Sequence, residues 1–175
     1  MTLQSGLEAL VKEVEEYVAA GGWDQPTRLF ALVPTATLIA ADPTVASELN
    51  LNADVPLTSV EQELEFGTDL EDLLGTIAWP DDVQGAMVVL ERMMLPPSAT
   101  EALPGEDDPD FVELAASHPD RRDVRIVSAV LRSGGNLNAL RYRDHDEASE
   151  VAVAPDLVTR LNDALMATFA TDEDV

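Results

Sequence analysis

The amino-acid sequence predicts a single α+β domain over residues 1–175, with a mainly antiparallel sheet of about five strands and helices on one face and at both chain ends. Three observations lead to this prediction. Short apolar runs bounded by turn residues alternate with segments whose apolar residues recur at helical spacing. These segments lack the regular strand–helix–strand order of a doubly wound fold. A length of 175 residues with a hydrophobic fraction of 46% suits one globular domain.

The first two elements are an opening helix and a buried strand. Ser5 and Glu8 have the spacing of a capping box. The apolar residues that follow recur every three or four positions until Gly21 and Gly22, which predicts that the helix ends there. Residues 28–33 are almost all apolar and predict a central strand.

The next segment predicts a helix in two parts and then a strand. Pro34 is typical of a helix start, and a second short turn that ends near Leu49 follows the interruption at 42–43. A loop over 50–56 leads to residues 58–66, which alternate apolar and polar side chains as a half-buried strand does. The same stretch also has the spacing of a capping box and contains three glutamates, which favour helix. We predict a strand.

The middle of the chain predicts a helix, a strand, a loop and a short helix. A capping box that begins at Thr68 predicts a helix over 69–78. The apolar run 85–95 predicts a long strand. Proline, glycine and acidic residues fill 97–109, so we expect a mobile acidic loop there. A brief helix should follow over 110–117.

The last third predicts a hairpin, a helix and a tail. Two apolar strands, 123–132 and 137–144, flank a Ser-Gly-Gly-Asn turn. Pro155 should open the last helix, with Leu161 and Leu165 buried against the hairpin. The closing acidic residues 171–175 should form a frayed tail.

Charge and composition exclude several classes of function. The chain has 34 acidic and 10 basic residues, a net charge of -24, which repels nucleic acids and anionic membranes. It has no cysteine, which excludes thiolate chemistry and disulfides. Its longest uncharged run, 29–41, is shorter than a membrane span, and its beginning lacks the pattern of a secretory signal. We therefore expect a cytoplasmic monomer or homodimer without a cofactor, whose partner is another protein.

Of the charged residues, only the arginines are concentrated in one part of the sequence. Six of the nine lie within residues 121–143, where Asp123 is the only acid. A two-residue turn at Gly134 and Gly135 would pair Arg132 with Leu137, and Ser128 with Arg141. That register places four residues on one face of the hairpin, and they form the predicted ligand or partner surface: Ser128, Arg132, Arg141 and Arg143. The opposite, apolar face would contact the last helix through Val127, Leu131 and Leu140.

The predicted arginine surface has two interpretations. Guanidinium groups present a planar fork to carboxylates and phosphates, which suits an anionic ligand or an acidic partner. Alternatively, the arginines pair with acids of the same chain, such as Glu61, Glu63 and Glu65. We favour this internal pairing.

The sequence offers only weak candidates for a metal site and none for catalysis. His118 and His145 are the only imidazoles; Asp144 and Asp146 flank His145, and Asp120 follows His118. A site with two histidines and one carboxylate would need both imidazoles, and two exposed loop histidines are the simpler interpretation. The chain has no nucleophile elbow and no glycine-rich phosphate-binding motif, so we predict no catalytic residue.

Several segments together resemble one protein family. They cover residues 23–36, 57–63, 78–85, 91–97, 118–125 and 155–158. Over about 22–169 the chain resembles a family of small, acidic, uncharacterised actinobacterial proteins, known mainly from genome sequencing and structural genomics. The resemblance implies a bacterial cytoplasmic protein from a GC-rich genome, in keeping with nine arginines and one lysine. It implies no catalytic or binding residue.

The leading functional prediction is a noncatalytic binding or accessory protein that acts by protein–protein contact. One alternative is a small acidic chaperone that masks a client segment, which an exposed apolar groove would favour. A second alternative is an anion-binding or enzymatic domain that uses the arginine-rich hairpin. A concave pocket with convergent arginine and histidine would favour that one.

Overall fold

The computed structural model describes residues 3–52, 54–64, 69–95, 98, 101, 103–105 and 107–169. In these residues it confirms an α+β fold built on one antiparallel sheet. The described helices are α1 (Leu3–Ala20), α2 (Thr35–Ala41), α3 (Pro43–Glu48), α4 (Leu70–Thr76), α5 (Phe111–Ala116) and α6 (Thr159–Ala167). The described strands are β1 (Arg28–Pro34), β2 (Leu57–Gln62), β3 (Gly85–Met94), β4 (Arg122–Leu131), β5 (Asn136–Tyr142) and β6 (Ala152–Ala154). Their order across the sheet is β2-β1-β3-β4-β5-β6, one strand more than the sequence predicted.

The opening helix packs one apolar face on the sheet, as predicted. Leu7 and Val11 are fully buried, and they belong to one core cluster with Phe30 of β1 and Met87 of β3. The helix begins at Leu3, so Ser5 lies inside it and not at its cap. Helix α1 therefore covers the face of the sheet that we call the α1 face.

Helices also cover the opposite face, whereas the sequence predicted them on one face only. On β4, Val127 packs in the α1 cluster, while Ile126 and Val130 pack in a second cluster with Leu74 of α4 and Leu165 of α6. Successive strand side chains point to opposite faces, and every residue of β4 from Val124 onward is buried. A strand whose side chains are buried on both faces needs cover on both sides of the sheet.

The hairpin of β4 and β5 is confirmed, but its predicted register is wrong. Leu131 N donates to Gly135 O at 3.1 Å and Gly134 N donates to Leu131 O at 3.0 Å, so the turn comprises 132–134. Ser128 pairs with Asn138 and not with Arg141. The shift is an odd number of residues, which moves the side chains of β5 to the other face relative to β4.

The last helix starts later than predicted and packs on the other face of the hairpin. Residues 152–154 add β6 to the sheet, a turn follows, and α6 begins at Thr159. Leu165 is fully buried, as predicted, while Leu161 is only partly buried. Both leucines belong to the cluster that contains Ile126 and Leu140, and not to the predicted face of Val127 and Leu131. In the true register Leu140 of β5 pairs with Ile126, so the face of β5 that carries Leu140 lies on the other face of β4 from the one predicted.

Three buried asparagine and serine side chains attach the start of α6 to the hairpin. Asn162 Oδ1 accepts from Ser128 Oγ at 2.6 Å and from Asn138 Nδ2 at 2.7 Å. Asn138 Oδ1 in turn accepts from Leu157 N at 2.9 Å and Val158 N at 3.2 Å. These hydrogen bonds satisfy polar groups that would be costly to bury alone, and they fix the position of residues 157–158 on the sheet.

The remaining predictions are confirmed where the structure describes the chain. The strand at 28–33, the divided helix after Pro34 and the strand in 58–66 are present, although the last ends at Gln62 and residues 65–66 lie outside the described residues. Asp69 caps α4, since its Oδ1 accepts from Glu71 N at 2.9 Å. Thr68 lies outside the described residues.

The two predicted mobile segments fall wholly or partly outside the described residues. In the loop 97–109, residues 97, 99, 100, 102 and 106 are among those not described. The tail 171–175 is not described at all. Among the described helices, none combines the length and the apolar character that crossing a membrane requires.

Candidate functional site

Arg141 of β5 and Glu15 of α1 form a buried ion pair. Their residues are 5% and 3% exposed. Arg141 Nε donates to Glu15 Oε1 at 2.6 Å, and its Nη1 donates to Asp146 Oδ1 at 3.0 Å. Burial acts to lower the pKa of Arg141, but the hydrogen bond and charge of Glu15 outweigh it and raise that pKa. Glu15 is not among the predicted site residues, and its only signal in the sequence is a carboxylate among the apolar residues of the opening helix.

Next to this pair, charged side chains hold the loop that follows α1. Asp24 N and Gln25 N donate to the two carboxylate oxygens of Glu91 at 2.8 and 2.9 Å. Arg143 donates to both carboxylate oxygens of Asp24 at 3.0 and 3.2 Å. The φ angle of Asp24 is 66°, a left-handed conformation that these contacts stabilise. The loop is therefore fixed to the ends of the central strands.

Trp23, in the same loop, joins the two groups of charges. The Arg125 guanidinium carbon lies 4.4 Å from the centroid of the indole ring, in a cation–π contact. Trp23 Nε1 donates to Asp146 Oδ2 at 3.0 Å. This hydrogen bond, together with the hydrogen bond and charge of Arg141, lowers the pKa of Asp146. These residues therefore form one network that packs the loop against the sheet.

The lowered pKa of Asp146 predicts a pH-dependent contribution to stability. A carboxylate whose folded pKa lies below its unfolded value stabilises the fold above the unfolded pKa, and this contribution is lost as pH falls through the folded pKa. The difference in free energy of unfolding between the natural chain and Asp146→Asn should thus be largest near neutral pH and should shrink below about pH 4. Urea unfolding at a series of pH values measures it. A difference that is constant from neutral pH to about pH 3 would contradict the lowered pKa.

The structure separates the four residues of the predicted arginine surface. Arg141 faces Glu15 of α1, and Arg143 lies just beyond β5, paired with Asp24. Ser128 is fully buried on the opposite face, where it donates to Asn162. Arg132 Nη2 donates to Pro80 O at 3.0 Å, and its guanidinium lies over the ring of Phe169. The single face predicted for them depended on the wrong register.

Internal partners do exist for these arginines among the described residues, but they are neither Glu61 nor Glu63, and Glu65 lies outside the described residues. Glu61 pairs with Arg28 of β1, its neighbour across the sheet. The acids that meet Arg141 and Arg143 come from α1, from the loop after it, from β4 and from the turn after β5.

The weak metal candidates do not form a cluster of ligands. Among the described residues, no group of three or more histidine, aspartate or glutamate side chains could hold a metal ion. His118 Nδ1 accepts from Asp120 N at 3.0 Å, and His145 lies in the short turn after β5. Asp144 pairs with Arg122, which lowers the pKa of Asp144, and Asp146 pairs with Arg141. Both carboxylates are therefore engaged by arginine.

An open groove lies on the face of the sheet opposite α1, between α4 and α6. Its volume is about 800 Å³. Apolar side chains from both helices, β3 and β4 form most of its lining: Leu70, Leu74, Leu90, Ile126, Leu161 and Ala164. The asparagine network described above positions its wall at residues 157–158. The volume lies in the range of protein binding sites, and the lining is of the apolar kind that they use.

Two arginines also line the groove, and neither is among the predicted site residues. Arg92 lies on β3, two residues beyond Leu90 and on the same face, and Arg160 lies in the first turn of α6. Neither forms an ion pair or hydrogen bond with any described residue, although the chain has 34 acids. Glu71 is the acidic residue of the described lining. The signal for Arg92 in the sequence is a pair of adjacent charges, Glu91 and Arg92, within the otherwise apolar run of β3.

Comparison with known proteins places most of the chain in one family. The family model described as PPA1309-like protein matches residues 7–170. The search of curated proteins found no match. The search of solved structures found none either.

Proposed function

The chain belongs to the PPA1309-like protein family, and we propose that it is a noncatalytic binding protein that acts by protein–protein contact through the groove between α4 and α6. The observation that carries this proposal is the groove itself, which is open, has a volume of about 800 Å³ and a largely apolar lining, and lies on a chain of net charge -24. Open apolar surface of this kind is typical of an interaction site.

The shape of the groove favours a helical segment of the partner as its occupant. Two helices flank it, and Leu90 and Ile126, which pair across β3 and β4, lie between them. An amphipathic helix can lay its apolar face into such a groove and so fill the gap between the two helices. A ligand site built on convergent arginine and histidine has less support, because neither histidine belongs to the described lining.

We expect that filling the groove with a side chain of the protein itself will weaken the binding of a partner segment. Ala164 is exposed on α6 and lines the groove, so Ala164→Trp should occupy the space without changing the charge. The probes are two labelled synthetic peptides about 15 residues long, with leucines at helical spacing and either glutamates or lysines between them. Fluorescence anisotropy should show that one or both bind the natural chain and that Ala164→Trp weakens the binding about tenfold.

The matched control is Ala20→Trp, an exposed alanine at the end of α1. It adds the same side chain on the opposite face of the sheet and should leave the affinity unchanged. If neither peptide binds the natural chain, or if both substitutions act equally, the groove does not hold a helical segment and the proposed function is wrong.

An actinobacterial origin and a cytoplasmic location are part of the same proposal. They are supported by the resemblance in the sequence and by nine arginines against a single lysine. Fractionation of the native host, with an antibody against the chain, would test the location.

A further inference from the structure

We infer that the segment bound in the groove is acidic, with carboxylates that pair with Arg92 and Arg160; this inference rests on the proposed function. Its basis is the distribution of partners among the nine arginines. Six form ion pairs with acids of the chain: Arg28, Arg121, Arg122, Arg125, Arg141 and Arg143. Arg132 donates to a backbone carbonyl and contacts an aromatic ring. Within the described residues, the two arginines left without a partner both line the groove.

The two arginines come from different elements around the apolar floor. Arg92 belongs to β3 and shares the floor's face with Leu90, while Arg160 belongs to α6 next to Leu161. Arg122, which is the diagonal neighbour of Arg92 on that face, already pairs with Asp144. In the proposed complex, the helix sets its leucines on the floor and its flanking side chains meet Arg92 and Arg160, which line the same groove. Carboxylates at those flanks would form charge-assisted hydrogen bonds with the guanidinium groups.

The net charge of the chain allows binding by contact with Arg92 and Arg160 to be distinguished from long-range electrostatic attraction. A charge of -24 attracts a basic segment at long range and repels an acidic one. At 0.15 M salt the Debye length is about 8 Å, so the groups within the groove decide the preference. Contact with Arg92 and Arg160 and long-range attraction therefore predict opposite signs for the preferred peptide.

The test compares the two leucine peptides, which differ only in glutamate or lysine. At 0.15 M salt we expect the glutamate peptide to bind the natural chain more tightly. The double substitution Arg92→Gln and Arg160→Gln should lower the affinity for the glutamate peptide about five- to tenfold, as expected for the loss of two exposed ion pairs. It should also remove the preference for the glutamate peptide over the lysine peptide. Both arginines are exposed and make no contact with other described charges, so the melting temperature should stay close to that of the natural chain.

The control is a second double substitution, Arg121→Gln and Arg143→Gln, which removes the same charge outside the groove. It should leave the preference for the glutamate peptide intact. An equal loss in both double variants would mean that long-range charge, not contact, decides the binding. Equal affinity for the two peptides, or tighter binding of the lysine peptide, would show that the bound segment is not acidic. The proposal that the groove is a binding site would still stand.

A third probe distinguishes a small amphiphile from a protein segment. Laurate has an apolar chain and one carboxylate, and it should compete with the glutamate peptide only weakly. If laurate binds saturably and neither peptide does, the groove is a small-molecule site, and both the proposed function and the acidic segment are wrong.

Discussion

Replacing Glu15 with leucine should lower the free energy of unfolding by about 3 to 5 kcal/mol, the cost of breaking a buried ion pair from one side. The substitution leaves the Arg141 guanidinium 5% exposed and deprives it of the partner that accepts from its Nε. Asp146 remains as the second acceptor, so we expect the lower end of this range. Urea unfolding followed by circular dichroism measures the change.

Two variants show whether the pair itself causes the loss. Glu16→Leu changes the adjacent exposed glutamate and should alter stability by no more than about 0.5 kcal/mol. Glu15→Leu combined with Arg141→Leu removes both charges and should recover most of the lost stability, because no buried charge is then unpaired. If the double variant is as unstable as Glu15→Leu alone, the loss comes from packing around α1 and not from the ion pair.

Replacing Leu165 with alanine should cost about 2 to 5 kcal/mol, through lost burial and the cavity left behind. Leu165 is fully buried in the cluster that joins α6 to β4 through Ile126 and Val130. Hydrogen bonds hold the chain on both sides of Leu165. Asn162 accepts from Ser128 of β4 and Asn138 of β5, and the hydroxyl of Thr168, just after α6, donates to Leu165 O. The site should therefore collapse little, and the cost should lie in the upper half of the range.

Leu157→Ala is the matched control for this prediction. It makes the same chemical change just before α6, at a side chain that is 40% exposed. Its effect on the free energy of unfolding should be clearly smaller. Equal effects of the two substitutions in urea unfolding would mean that α6 does not anchor the second core cluster.

Much of the fold follows from local patterns in the sequence. The spacing of the apolar residues in 5–20 predicts both the helix and its buried face, and the run 28–33 predicts a buried strand. The leucine spacing in the last helix predicts that Leu165 is buried. These predictions succeed because helical and strand periodicity are properties of neighbouring residues. The short strand β6 was not predicted, since it pairs through only three residues and its apolar run spans only 151–154.

The candidate sites depended on strand register and on contacts between distant segments, which local sequence patterns do not contain. The arginine surface required the register of one hairpin, and a turn over 132–134 in place of one at 134–135 moved Arg141 to the α1 face. The groove required α4 and α6 to lie on one face of β3 and β4 with a gap between them. A carboxylate at 15 and a guanidinium at 141 are ordinary in a sequence with 34 acids until packing brings them together.

The sequence by itself determined the α+β class, most helices and strands, the buried apolar face of the first helix, the burial of Leu165 and the absence of thiolate chemistry. Only the tertiary structure decided the hairpin register, the cover on both faces of the sheet, the partner of each arginine and the groove with Arg92 and Arg160. The physical reason is the range of the interactions. Periodicity acts over a few residues, whereas strand register depends on turn geometry and ion pairing on contacts between segments far apart in the chain.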